Sequence, residues 1–101
     1  MRYLGAFRGA GTLSCGAEKF GRADYDFEGF LVKPGEVSAS GEIRLEPDLL
    51  KLVFGRKGLQ LLTDDGRVLS LRFSQRQLDS NSDVAHVEVG GDLPSAKHWR
   101  H

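Results

Sequence analysis

Val37, Ala39, Gly41, Ile43 and Leu45 alternate with Ser38, Ser40, Glu42 and Arg44, so apolar or small positions take turns with polar ones. Successive side chains of a strand point to opposite faces, and this two-residue period predicts a half-buried antiparallel strand over 36–45. The rhythm recurs at 22–32, where Ala23, Tyr25, Phe27 and Leu31 share one face and Asp24, Asp26 and Glu28 the other. It returns at 67–74 and 84–89, with Leu69, Leu71 and Phe73, then Ala85, Val87 and Val89, facing inward. Residues 3–15 carry it with interruptions, because Gly5, Gly9 and Gly11 fall on the same parity as Phe7, Leu13 and Cys15. Glycines in a strand mark a bulge, a bend or the close approach of a ring or backbone. This strand is therefore expected to be strongly coiled and covered by aromatic side chains from a neighbour.

Turn chemistry separates these segments. In Lys33-Pro34-Gly35-Glu36 the proline presets φ and the glycine accepts a positive φ, so 22–32 and 36–45 should form a hairpin. Asp65-Gly66 between the apolar runs 59–62 and 67–74 predicts a second hairpin. Residues 16–21 read as a turn, Gly29 as a bulge that places Phe30 on the acidic parity, and 75–83 as a polar loop. Only 47–54 changes period: Leu49, Leu50, Val53 and Phe54 form a helical stripe behind Pro47 and Asp48, with Gly55 as the stop. A strand over 51–55 competes with that helix, since Leu, Val and Phe serve both.

The resulting expectation is a mainly β fold. About six antiparallel strands form a small barrel or a two-layer sandwich, and one short helix (47–54) caps an end. Residues 1–94 make a single domain, and 95–101 a flexible C-terminal tail. So few strands leave no lumen, and the interior should be filled by side chains.

Composition narrows the partners. The 101 residues are 40% hydrophobic and 28% charged, which suits one globular core. Fourteen Lys and Arg balance 14 Asp and Glu, whereas a nucleic-acid binder needs a basic excess to neutralise phosphates. The lone Cys15 permits no intramolecular disulfide. With no secretory leader pattern and no long apolar run, neither a membrane nor export is indicated, and a cytoplasmic location is expected.

No candidate chemistry assembles into a catalytic motif. The carboxylates of Asp24, Asp26 and Glu28 form a row that diverges rather than converging on a metal, and cross-strand pairing with Arg8, Arg44 or Arg72 is the simpler role. Asp79-Ser80-Asn81-Ser82-Asp83 opens like a calcium loop, but Val84 stands where the sharp turn needs glycine and Gly90 where a bidentate Glu is required. His86 reads as a surface residue, while His98 and His101 sit in the terminal segment. Cys15 has only Lys19 as a local activator and reads as a small buried thiol. Arg72 and Arg76 match the first spacing of PilZ-type cyclic-dinucleotide receptors, with no second box after them. Tyr25 and Phe27 share a face, as in oligonucleotide-binding barrels, yet the opposite face is acidic, so burial in the core is the simpler expectation.

The layout Gly9-x-Gly11-Thr12-Leu13, Tyr25-Asp26-Phe27-Glu28, Ser40-Gly41-Glu42-Ile43, Asp65-Gly66-Arg67 and Gly90-Gly91-Asp92-Leu93-Pro94 resembles a group of small, uncharacterised bacterial all-β proteins of about 100 residues. The resemblance spans most of 7–94, is built from turn and strand residues, and implies no activity. The expected function is a non-enzymatic binding or protein-interaction module, without cofactor or metal, that associates with itself or another protein through an exposed strand edge. The alternative is a small-molecule or anion-binding β domain using Arg22, Arg44 or Arg72 on the outer sheet face.

Overall fold

The computed structural model describes residues 2–79, 81–94 and Trp99. Six antiparallel strands carry the alternating segments: β1 (Arg2–Cys15), β2 (Glu18–Lys33), β3 (Glu36–Arg44), β4 (Leu59–Thr63), β5 (Val68–Phe73) and β6 (Val84–Gly91). They close into one barrel in the order β1-β2-β3-β6-β5-β4, so the sandwich alternative is not realised. The last strand inserts between β3 and β5, and β4 returns to β1 to complete the ring. Fully buried Leu13, Phe27, Ile43, Leu59, Leu61, Leu69 and Val87 fill the interior.

The helix is α1 (Pro47–Val53). Glu46 caps it, its carboxylate accepting from the backbone N–H groups of Asp48 and Leu49, which would otherwise lack helical partners. Leu50 and Val53 point into the barrel and are fully buried. Leu49 lies over Gly21, and the Arg56 guanidinium sits 5.0 Å from the Phe20 ring centre. The helix thus closes the end of the barrel where β1 turns into β2.

Several boundaries differ from the sequence expectation. The turn expected over 16–21 shrinks to Gly16 and Ala17, because β2 begins at Glu18 and pairs immediately with Cys15. Its bulged residue is Phe20, which lies between the Leu13–Gly21 and Ser14–Lys19 pairs. Gly29 is not a bulge either. The extra residue is Leu4 of β1, between the Tyr3–Phe30 and Gly5–Gly29 pairs, and Phe30 stays on the outer face beside Tyr3. The strand expected over 84–89 runs on to Gly91. The Lys33–Glu36 turn forms as its chemistry requires, with Gly35 at φ 79°.

Two close approaches explain how so small a barrel coils. A Cβ at Gly41 would stand 2.1 Å from the Asp26 carbonyl oxygen and 2.8 Å from the Phe27 Cα, so only glycine lets β3 bend against β2 there. Gly9 lies beneath the Tyr25 ring, whose hydroxyl oxygen is 2.6 Å from where its Cβ would be. This is the aromatic cover expected for the glycine-rich strand. At the end remote from the helix, Trp99 is buried, although its position falls in the expected tail; the other residues of 95–101 lie outside the described residues.

Candidate functional site

Alternation sends the polar residues of β2, β3, β5 and β6 to the outer face, where register decides which charges meet. Asp26 stands opposite Arg8, and their side chains form an ion pair at 3.1 Å. Glu42 stands opposite His86, with Nε2 3.6 Å from the carboxylate. Asp24 is in register with Arg44. Arg72 forms its ion pair with Glu88 of β6 rather than with the β2 row. The acidic row is therefore partly neutralised across strands, as alternating polarity implies. A depression of about 420 Å³ on this face is lined by Arg8, Asp26, Glu28, Glu42, Ser74 and His86.

The three arginines named as candidates for an anion lie at different places on the outer face. Arg22 makes a bidentate pair with Asp64, at 2.8 and 2.6 Å. The hydrogen bond from Arg22, reinforced by its charge, holds the Asp64 carboxyl below the usual carboxylate range, and Arg22 is correspondingly held in its charged form. Arg22 and Arg44 border one depression of about 320 Å³, but Asp24, Glu46 and Asp83 line it too. Arg72 lies two strands further round the barrel, in contact with Glu88. An anion arriving at any of these would meet carboxylates already in place.

Tyr25 and Phe27 are buried, as expected from the acid row opposite them. Burial, and then the nearby carboxylates of Asp65 and Asp64, push the Tyr25 phenol up from its ordinary value. Half-buried Cys15 directs its thiol to the Lys57 carbonyl at 3.4 Å. Among the described residues, no three His, Cys, Asp or Glu side chains are grouped to hold a metal ion, and no helix is long and apolar enough to cross a membrane.

The most distinctive surface is backbone. β1 is 14 residues long, but β4 pairs only with its positions 11–15. Asp64 extends that contact by a single bond, its N–H donating to the Ala10 carbonyl at 2.9 Å. Because the backbone groups of successive strand residues point to opposite sides, this bond shows that the even positions face away from β2. Ala6 and Arg8 therefore present N–H and C=O groups along a side of β1 that no described strand covers. Beside this edge, on the outer face, Tyr3 and Phe30 pack edge to face at 5.5 Å, and exposed Val32 follows Phe30 along β2.

Sequence reasoning expected the edge of an open sheet; the sheet instead closes into a ring, and one side of β1 at Ala6 and Arg8 lacks a described partner strand. The signal was strand length: the apolar rhythm of 3–15 is far longer than that of 59–62, so the two could not cover each other fully. Comparison with family models, with curated proteins and with solved structures returned no match.

Proposed function

We propose that this chain is a non-enzymatic interaction module that adds a strand from another polypeptide along residues 5–9 of β1, its first partner being a second copy of itself. The supporting observation is the length mismatch between β1 and β4, which leaves a run of edge-facing donors and acceptors on an otherwise closed barrel. An unpaired edge is a template for a further strand, whose main-chain bonds supply affinity while flanking side chains supply selectivity. Formal net charge is zero, so two copies meet without long-range repulsion.

Light scattering over a dilution series tests this reading. The wild type is expected to form a dimer that dissociates on dilution, and Ala6→Pro to remain monomeric throughout. Proline at position 6 removes an outward N–H without deleting a bond to β2. A wild-type protein that is monomeric at every concentration, or an Ala6→Pro variant that dimerises equally well, overturns the reading.

A further inference from the structure

At the barrel end remote from α1, a slot with an aromatic wall is occupied by the indole of Trp99. Its floor is the Gly29 backbone: a Cβ there would stand 2.6 Å from Cζ2 and 2.7 Å from Cε2 and Cη2 of the ring, so the indole lies flat against the strand. Its wall is Phe7, whose ring centre is 5.9 Å away at 74°, an edge-to-face contact. Phe7 is held in turn against Tyr25 at 5.2 Å, and Tyr25 stacks on Phe27 at 5.0 Å. On Phe7, too, sits the Arg67 guanidinium, 5.8 Å from the ring centre, with Arg67 tied to the Asp92 carbonyl. The slot is thus shaped by residues of β1 and β2 that are braced without any help from Trp99.

The occupant is attached differently from the rest of the core. Its indole N–H donates to the Pro94 carbonyl at 3.0 Å, an acceptor in its own C-terminal segment and not in the sheet. Withdrawing the ring breaks no ladder bond. It leaves a flat apolar space with one carbonyl acceptor at its rim. Dry apolar cavities of this kind take up aromatic molecules from water.

We propose that this slot is a binding site for a planar fused aromatic ring bearing an N–H donor, and that Trp99 fills it in cis as a tethered competitor. Ring recognition comes from the glycine floor and the Phe7 wall, and selectivity for the donor from the Pro94 carbonyl. Neither depends on the β1 edge, so this site and self-association stand or fall separately.

Trp99→Gly, studied at concentrations where the chain is monomeric and with indole as the probe, tests the site. The variant should melt below wild type. Indole at about tenfold excess over its Kd should raise that melting point by about 5–10 °C, with little effect on wild type. The Gly29 and Phe7 amide resonances should shift on titration. 1-Methylindole, which lacks the donor, should stabilise less. Adding Gly29→Ala should abolish the response, because the new Cβ fills the floor. No indole response in Trp99→Gly, an equal response in the double variant, or a melting point matching wild type overturns the proposal. Equal stabilisation by 1-methylindole overturns the role of the carbonyl. If Trp99→Gly does not fold, Trp99→Val takes its place with the same readouts. A Trp99→Val chain that stays unfolded with or without indole also counts against the site.

Discussion

Leu13, Leu61 and Leu69 stand side by side on β1, β4 and β5, and each is fully buried. At the other end of the barrel, Leu31 and Val37 face each other across β2 and β3 and are only half-buried. Both sets of strands show the same alternation and obey the same pairing rules. The difference is closure. Where β4 lies against β1, a leucine has neighbours on both sides and a helix above. Where β1 and β2 outrun β4 and β5, the sheet is covered on one side by Trp99 and bordered by an edge that no described strand covers. Burial in so small a barrel follows strand length as much as residue type.

The widest contrast should appear in amide hydrogen exchange. At dilutions where the chain is monomeric, ladder amides of β4 and β5 should exchange only through global opening, on the order of 5–10 kcal/mol for a domain of this kind, while Ala6 and Arg8 exchange almost freely. Phe7, whose N–H faces β2, should be protected, giving an alternating pattern along β1. Uniform protection across 5–9 would mean that the edge is covered.

Core truncations should reproduce the contrast in stability. Leu61→Ala is expected to cost about 2–5 kcal/mol in urea unfolding. Leu31→Ala, already half-exposed, should cost about 1 kcal/mol or less, in proportion to the apolar area it buries. Equal costs would show that the overhanging end is as closed as the belt.

Glycine substitutions should separate a bent strand from a relaxed one. Gly41→Ala forces a methyl against the β2 backbone and should cost about 1–3 kcal/mol. A Cβ at Gly90 meets nothing within 4 Å, so Gly90→Ala should be nearly neutral or slightly stabilising.

A smaller effect is expected at alkaline pH. The Tyr25 phenol is raised in the folded state, so the unfolded chain loses that proton first as pH rises. The stability linked to it is complete below the ordinary tyrosine value of about 10, and is lost as pH climbs through the higher folded value. Thermal unfolding should show a decline in this range that Tyr25→Phe flattens; an unchanged slope would mean that burial leaves the phenol untouched. Least of all should follow from Arg8→Ala, since its ion pair with Asp26 is exposed on both sides. Chemical unfolding should register a loss under about 1 kcal/mol, and a larger one would point to packing by the arginine stem.

Much of this architecture was legible because strand and turn signals are local. The Pro34-Gly35 turn and the alternation on either side of it place β2 and β3 together with no knowledge of the remaining chain. The helix was less readable: Pro47 and Gly55 bracket a short apolar stripe, but a strand over 51–55 competed with it until the structure showed α1. Its capping carboxylate was not readable, because Glu46 lies outside that stripe and acts through its side chain. Arg22 could be named as an exposed cation, but its partner Asp64 is 42 positions away and becomes a neighbour only when β4 closes on β1. Trp99 was hidden for a related reason. It sits in a polar segment without periodicity, and its one sequence signal was being the sole tryptophan of the chain.

Alternating polarity and turn residues by themselves determined roughly which segments of this protein become strands and which side of each strand is wet. These follow from backbone geometry over a few residues, where side-chain period and allowed φ leave little choice. Only the tertiary structure decided that β6 enters between β3 and β5, that β4 reaches no further than the last third of β1, and that an indole seals the far end. Such outcomes depend on contacts between residues distant in the chain, and many strand orders satisfy the same local pattern. The order adopted is the one that closes the ring over a filled core while leaving one side of β1, at Ala6 and Arg8, without a described partner strand.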